Sequence, residues 1–298
     1  MEDQSPLLAG IELGGTKSIA VLARGGTILA RASLPTSADP AATLAAVLAV
    51  IGSWHAERPL AAIGIASFGP VVLDPQSPAY GHMLDTPKPG WAGFDVVGAV
   101  RGAISVPVAI DTDVNAAALA EGQWGGSAGC RVHVYVTIGT GVGGGIVVDG
   151  QPVHGFLHPE IGHMRVPRAA GDTFAGACPF HGDCIEGLVA GPALAARTGL
   201  AGADIADDHP VWAHVAQELG DFFANMLLSF APERIALGGS VLLGRPFLLP
   251  AVRAVAALRL AGYLPATGIP PEERIALATL GADAGPLGAV ALAARALG

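Results

Sequence analysis

Two cysteines and two histidines in the second half of the chain have the types and spacing of a metal site. Cys178, His181 and Cys184 follow one another at intervals of three residues, and His163 stands fifteen residues before Cys178. Two thiolates and two imidazoles form a closed tetrahedral set that suits zinc and leaves no position for a reactive water. The spacing therefore predicts a structural zinc ion that holds two loops together. The alternative is a reduced loop without a metal.

Two carboxylates flank this set. Glu160 stands three residues before His163, and Glu186 stands two residues after Cys184. Ionised carboxylates are pure acceptors, so they can bind pairs of hydroxyl groups and reject analogues that lack them. The metal and the two acids together predict a scaffold for a polar substrate.

Two glycine turns occupy matching places in the chain and could hold phosphate. Gly14-Gly15-Thr16-Lys17 and Gly139-Thr140-Gly141-Val142-Gly143 each follow an apolar stretch. Exposed backbone amides in such turns bind anions without requiring a net positive charge. Neither turn fits a dinucleotide fingerprint or a P-loop, because a strand rather than a helix follows each one. Ordinary hairpin turns are the alternative, but a matched pair favours phosphate binding.

A third glycine signal is Gly238-Gly239, which follows the apolar stretch that begins at Ile235. The carboxyl end of a buried strand is where ligands sit in open α/β sheets. We assign this pair to the adenosine part of a nucleotide.

The elements that must position these residues occur twice. Each half begins with a three-strand meander, which is followed by helical stretches and a further strand. The meander strands are predicted at 8–13, 18–23 and 27–33, and again at 132–138, 144–148 and 151–156. A duplicated unit predicts an α/β protein of two similar lobes with a cleft between them. We place the lobes at 1–116 and 117–298, with a helix at 113–123 running between them and a C-terminal helix that can pack back on the first lobe.

Composition limits the classes of function. The chain has 298 residues, of which 51% are hydrophobic and 14% charged, and its net charge is −9. This acidity argues against a nucleic-acid surface, and no apolar run is long enough to span a bilayer. The acidic start lacks the basic region of a secretory signal, so we expect a cytoplasmic protein with reduced thiols. The third cysteine, Cys130, is expected to be a buried small hydrophobe.

The motifs, taken in order, resemble one family. The two glycine turns, Asp113-Val114-Asn115, Glu160-Ile161-Gly162-His163 and the cysteine cluster are similar to those of the ROK family (repressors, open reading frames, kinases) of the sugar-kinase/actin/Hsp70 superfamily. The resemblance runs from about residue 8 to the C-terminus. It implies an actin-like, ribonuclease H-like fold in which the zinc loop is an insertion, and a homodimer. The Cys-x-x-His-x-x-Cys form and Thr-Pro-Lys-Pro-Gly-Trp at 86–91 resemble the bacterial fructokinase branch.

The resemblance implies phosphoryl transfer from ATP and Mg²⁺ to a hexose, with fructose placed first. Asp113 is the implied base, and an Asp with an unperturbed pKa near ~4 suffices because the hydroxyl becomes acidic late in the reaction. Two alternatives stay open: Asp113 only caps a helix, or Asp111 is the base. Glu12 is implied in the Mg²⁺ shell. Lys88 and Trp91 border the sugar site or, for Trp91, anchor packing.

The remaining implied contacts divide by ligand. The nucleotide contacts are Gly14, Gly15, Thr16, Lys17, Thr140, Gly141, Gly143, Gly238 and Gly239. The sugar contacts are Asn115, Glu160, His163 and Glu186. The structural zinc ligands are His163, Cys178, His181 and Cys184, so His163 would bind zinc through one ring nitrogen and sugar through the other.

Other functions remain as alternatives. A sugar-responsive repressor would carry a DNA-binding arm ahead of the first turn, and because only nine residues precede Gly10 we do not expect one. A sugar-binding protein without catalysis would have no need of Asp113 and both turns. Among kinases, those for glucose, mannose or an N-acetylhexosamine stay open.

Overall fold

The structure is a computed structural model that describes residues 5–169, 171–265 and 268–298. These residues form two compact units. Unit 1 comprises the chain up to Gly125 together with Gln151–His158 and Ala282–Gly298, and unit 2 comprises Gly126–Gly150 and Pro159–Gly281. In that described part of the chain, no helix combines the length and the apolar character that crossing a membrane requires.

Unit 1 is an α/β unit built on one mixed sheet. Its strands are β1 (Leu7–Leu13), β2 (Lys17–Arg24), β3 (Thr27–Pro35), β4 (Ala62–Ser67) and β5 (Val108–Thr112), in the order β3-β2-β1-β4-β5. Its helices are α1 (Pro40–Glu57), α2 (Val96–Ala103), α3 (Asp113–Trp124) and α9 (Ala284–Arg295). β1 pairs antiparallel with β2 and parallel with β4, so the meander is joined to a parallel half.

The C-terminal helix α9 belongs to unit 1, where it packs on β1, β4 and α3. The approach is close enough that a methyl group at Gly64 would clash with the Ala289 carbonyl, and one at Gly288 would clash with Ala116. α3 also lies wholly in unit 1, so the division by contacts falls after Gly125 instead of at 116/117. α3 packs on α9, β4 and β5, all of which belong to unit 1, and it therefore belongs to that unit as a whole.

Unit 2 repeats the plan. Its strands are β6 (Val132–Ile138), β7 (Val142–Val148), β9 (Arg234–Gly238) and β10 (Ile275–Leu277), in the order β10-β9-β6-β7. Its helices are α4 (Ile185–Val189), α5 (Gly191–Thr198), α6 (Val211–Phe230), α7 (Ser240–Leu243) and α8 (Leu248–Leu260). β6 pairs antiparallel with β7 and parallel with β9, as β1 does with β2 and β4. The duplication predicted from the sequence is confirmed.

The second meander differs from the prediction in its third strand. We expected a strand at 151–156, but β8 covers only Gln151–Pro152. Pro152 has no N–H to continue a ladder. The chain then turns at Gly155, whose amide donates to the Leu157 carbonyl at 3.0 Å. His154 leaves the strand path and bonds to residues of unit 1, as described below.

Candidate functional site

The first glycine turn in unit 1 offers free amides. It is closed by a hydrogen bond from the Gly14 amide to the Lys17 carbonyl at 3.1 Å. The next two amides, of Gly15 and Thr16, make no backbone hydrogen bond with the described residues, and both residues are exposed. Two adjacent free N–H groups beside the exposed Lys17 can bind an anion.

Asp113 is the first residue of α3 and is not its cap. Thr112 is the N-cap, because its hydroxyl accepts the Asn115 amide at 3.2 Å. The Asp113 carboxylate accepts from backbone amides only, among them that of Val114 at 2.9 Å. The capping alternative is therefore wrong, and Asp113 is free of a side-chain partner among the described hydrogen bonds.

The environment raises the pKa of Asp113 to about 7. Burial is the main cause because it disfavours the charged form, and the negative charge of Glu12 is the second. Burial also raises the pKa of Glu12, against the opposing charges of Lys17 and Arg31. The expectation of an unperturbed carboxyl is thus incorrect. A carboxyl that titrates near neutrality is well matched to a base at physiological pH.

The Asp111 carboxylate is hydrogen-bonded to three groups of the protein. It is 3% exposed and accepts hydrogen bonds from the Thr112 amide at 2.7 Å, from Asn115 Nδ2 at 2.7 Å and from His154 Nε2 at 2.9 Å. With three donors in place, Asp111 orients its neighbours and has little capacity left to accept a proton from a substrate. Its bond to His154 raises the pKa of that imidazole.

His154 was not predicted from the sequence. It lies 39 residues after Asn115, in a segment whose pattern indicated a strand, so no spacing signal connected the two. Asn115 itself is 1% exposed, and its Oδ1 has no hydrogen-bond partner among the described residues. Such a buried acceptor requires a donor, which a substrate hydroxyl or a water can supply.

The second glycine turn, in unit 2, is also closed by one backbone hydrogen bond and also leaves two amides available. The Gly139 amide donates to the Gly141 carbonyl at 2.9 Å, and the Thr140 and Gly141 amides make no backbone hydrogen bond with the described residues. Gly143, which we predicted in the turn, lies within β7 opposite Thr137. The turn that can present amides therefore ends at Gly141.

Both predicted substrate carboxylates of unit 2 lie on segments close to this turn. The Val142 amide donates to Glu186 Oε2 at 3.1 Å. Glu160 precedes the short 3-10 helix Ile161–His163, whose Gly162 fits against the Val142 carbonyl with no room for a side chain. Glu160 is exposed and Glu186 is half-buried.

The four predicted metal ligands converge. One ligand atom from each of His163, Cys178, His181 and Cys184 lies within 4.8 Å of the others. His163 Nδ1 is 3.8 Å from the Cys178 sulfur and 3.6 Å from that of Cys184, and His181 Nδ1 is 3.8 Å from the Cys178 sulfur. Tetrahedral zinc with its usual bond lengths places such atoms roughly 3.5–3.8 Å apart. The donor set therefore fits zinc.

Burial raises the pKa of Cys184 to about 11. A buried thiol of this kind stays protonated at neutral pH unless a cation binds it, and a coordinating metal removes the proton. The cluster uses Nδ1 of His163, which leaves Nε2 for a second partner.

A chain of ion pairs holds the loop between His163 and Cys178, and sequence reasoning missed it. Arg197 lies between Glu218 at 2.6 Å and Asp172 at 2.8 Å. Arg168 bonds to Asp172 at 2.7 Å and lies 3.7 Å from Asp183, a residue between two of the metal ligands. Glu218 on α6 is fully buried, so the loop is fixed to the core of unit 2.

The other predicted residues lie as follows. Gly238 ends β9 directly against the Tyr135 ring, and Gly239 follows with a positive φ of 83°. A side chain at either position would clash with neighbouring atoms, so packing alone requires glycine at both. Trp91 is fully buried, as a packing anchor is, and Lys88 bonds to the first turn. Cys130 is half-buried.

Comparison with known proteins connects both units to one family. The profile described as "ROK family" matches residues 8–296. A fructokinase from Pediococcus pentosaceus is 41% identical over 98% of this chain and 99% of its own length.

Two solved structures share the fold. A ROK hexokinase from Thermus thermophilus superposes with a TM-score of 0.81 and 26% identity, covering 97% of this chain and 98% of its own. A ROK family glucokinase from Streptomyces griseus, in complex with glucose and AMPPNP, superposes with a TM-score of 0.76 and 25% identity, covering 97% and 99%.

Proposed function

This chain belongs to the ROK family, and from that premise we propose that it is an ATP-dependent sugar kinase that converts D-fructose and ATP to fructose 6-phosphate and ADP. The observation that carries the proposal is Asp113, a carboxyl without a side-chain partner whose pKa of about 7 suits proton removal near neutral pH. Fructose is placed first because a relative named fructokinase is 41% identical over nearly the whole chain, whereas the hexokinase and glucokinase structures are 25–26% identical.

In the proposed reaction, Asp113 accepts the proton of the sugar's C6 hydroxyl as that oxygen attacks the γ-phosphorus. The new O–P bond forms while the bond from the γ-phosphorus to the bridging oxygen breaks, and ADP leaves with that oxygen. Such transition states are loose, so positioning and charge neutralisation supply most of the rate and the base a smaller share.

The nucleotide phosphates are assigned to the free amides of the two turns. Gly15 and Thr16 supply them in unit 1, with Lys17, and Thr140 and Gly141 supply them in unit 2. Glu12 and Asp113 fit a nearby Mg²⁺, because the charge of Glu12 raises the pKa of Asp113 and a cation between two such carboxylates would relieve their repulsion. Mg²⁺ supplies charge neutralisation on the phosphates when it is bound.

The sugar is assigned to polar groups of Asn115, His163, Glu160 and Glu186. Asn115 offers the unpartnered Oδ1, and His163 offers Nε2 because its Nδ1 faces the two sulfurs. Glu160 and Glu186 supply carboxylate oxygens, one of which, Glu186 Oε2, is shared with the Val142 amide. Structural zinc held by the Cys/His cluster would fix the His163 tautomer and the start of α4.

The test is ADP formation with MgATP across fructose, glucose, mannose and N-acetylmannosamine. We expect turnover with the highest kcat/KM for fructose. The same assay after verified zinc removal is expected to show a raised KM for fructose and a smaller change in the KM for ATP. Absence of turnover on every sugar would contradict the kinase assignment, and preference for another hexose would contradict fructose alone.

A further inference from the structure

The chain contains only two lysines among its sixteen lysine and arginine residues, and both lie at the first glycine turn. Lys17 is part of the turn. Lys88, far along the sequence, donates from Nζ to the Gly15 carbonyl at 2.6 Å and to the Thr36 carbonyl at 2.9 Å. These bonds use two of the three N–H donors of the ammonium group.

The loop that carries Lys88 is firmly anchored. Trp91 is fully buried, donates from Nε1 to the Ser37 carbonyl at 2.9 Å, and meets the Phe68 ring edge-on at 5.0 Å. Gly90 has a positive φ of 81° and lies so close to the Ala38 carbonyl that a side chain would clash. Gly90 and Trp91 therefore fix the backbone next to Lys88. The hydrogen bonds to the Gly15 and Thr36 carbonyls hold its ammonium group in place without a ligand.

The carbonyl that Lys88 binds belongs to the same peptide group as the Thr16 amide. In a trans peptide the C=O and the N–H point in opposite directions, so the ammonium lies on the side of the peptide away from that amide. A charge-assisted hydrogen bond to the carbonyl polarises the peptide and strengthens its N–H as a donor. The Thr16 amide is one of the two that the turn leaves free.

We propose that Lys88 is a positioning residue for the nucleotide phosphates, acting through the Gly15–Thr16 peptide, which its positive charge orients and polarises. The inference rests on the proposed kinase function, since it assigns Lys88 to the ATP side of the reaction. The protein carries a net charge of −9, so the ammonium group of Lys88 brings to this turn a positive charge that an anionic phosphate requires.

Three substitutions separate charge from hydrogen bonding. Lys88→Arg keeps a charge and can donate to both carbonyls, Lys88→Gln donates without charge, and Lys88→Met does neither. We expect the KM for ATP to rise about tenfold in the Gln and Met variants and to stay within about threefold in the Arg variant. The KM for fructose should stay within about twofold throughout. Arg58→Gln, at the exposed end of α1, controls for a change in net charge.

Two kinetic outcomes would overturn the proposal. Equal KM values for ATP in the Gln and Arg variants would show that Lys88 acts only as a hydrogen-bond donor and that its charge is not needed. A change in the KM for fructose, with that for ATP unaltered, would place Lys88 at the sugar instead.

A spectroscopic test needs no substitution in the protein observed. With ¹³C at the lysine ε-carbon, the chain gives two side-chain signals, which Lys17→Arg and Lys88→Arg assign. On addition of Mg²⁺ and AMPPNP we expect both signals to shift. A shift of Lys17 alone would contradict the role of Lys88 and leave the kinase function intact. If neither signal moves and no sugar is phosphorylated, the kinase proposal fails with it.

Discussion

The Glu186 carboxylate accepts the Val142 amide at 3.1 Å, which joins the helix after the last cysteine to the second glycine turn. Glu186 is the second residue of α4, and the N-cap of that helix is Cys184, a member of the metal cluster. The segment that follows the Cys/His cluster and the second glycine turn are thus in direct contact within unit 2. The bond also occupies the Val142 amide, so a phosphate at this turn is limited to the amides of Thr140 and Gly141.

Substitution of Glu186 should separate its proposed binding of the sugar from its hydrogen bond to the Val142 amide. Glu186→Gln retains an oxygen for the Val142 amide but loses the charge that we propose binds sugar hydroxyls, so we expect the KM for fructose to rise about tenfold while ADP affinity is retained. Glu186→Ala loses both, and ADP affinity should fall as well. Fructose kinetics and calorimetric ADP binding measure the two effects. Loss of ADP affinity in the Gln variant would show that the carboxylate charge itself supports the turn.

Asp113→Asn should abolish transfer, with kcat reduced by about 10²–10⁴-fold, the usual contribution of a general base. The folded protein should be retained, because Asn keeps an oxygen for the Val114 amide. Single-turnover phosphorylation with ADP binding as the control measures this. Near-normal turnover of this variant would show that a residue other than Asp113 is the base.

The same variant should alter stability in a pH-dependent way. The pKa of Asp113 in the folded protein, about 7, lies above its ordinary value of 3.8. Its carboxyl therefore contributes stability that is fully present below about pH 4 and is lost as the pH rises through 7. Relative to the parent, Asp113→Asn should gain about 1–2 kcal/mol more at pH 8 than at pH 5, after allowance for partial solvent screening. Urea unfolding at the two pH values, without ligands, checks the sign.

Glu12→Gln should move the pH dependence of catalysis. Its negative charge is the second cause of the raised pKa of Asp113, so removing it lowers that pKa. The acid limb of kcat/KM for fructose should shift to lower pH, and the maximum should fall because the variant lacks a proposed Mg²⁺ carboxylate. Glu57→Gln, which removes an exposed negative charge that is not among the causes of the Asp113 shift, serves as the comparison. An acid limb that stays in place would mean that a group other than Asp113 controls it.

Arg197 should prove important for metal retention. Arg197→Met leaves the buried Glu218 carboxylate without its arginine, a change that typically costs about 3–5 kcal/mol, and it leaves Asp172 paired with Arg168 alone, which loosens the loop before Cys178. We expect faster loss of zinc to a chelator as well as a lower melting temperature. Arg259→Met breaks an ion pair with Asp221 between α6 and α8, away from that loop, and should lower stability without faster zinc loss. Equal zinc loss in both variants would mean that the loop is not specially anchored.

The sequence predicts the repeated architecture well because strand meanders and glycine turns are local patterns. β1, β2 and β6 lie within one or two residues of their predicted bounds. The convergence of the Cys/His cluster is equally predictable, since three of its four members fall within seven residues. Their spacing alone constrains the chemistry.

Long-range partners could not be predicted. The pKa of Asp113 depends on burial and on Glu12, a residue 101 positions away, and no local pattern signals such a meeting. His154 and the ion pairs of Arg197 are similar, because each forms only after the sheets assemble. Gly143 was misplaced because a glycine-rich strand and a glycine-rich turn have the same local composition.

The position of α9 in unit 1 has a consequence for synthesis. The strands of unit 1 leave the ribosome first, yet β1 and β4 are covered by a helix that begins at Ala284. Unit 2 ends at Gly281 and so is available in full before that helix emerges. β1 and β4 therefore lack the cover of α9 on one face until the rest of the chain has been made. The helix that begins at Asp113 packs on α9, so this carboxyl reaches its full folded surroundings only after the C-terminal helix has been made.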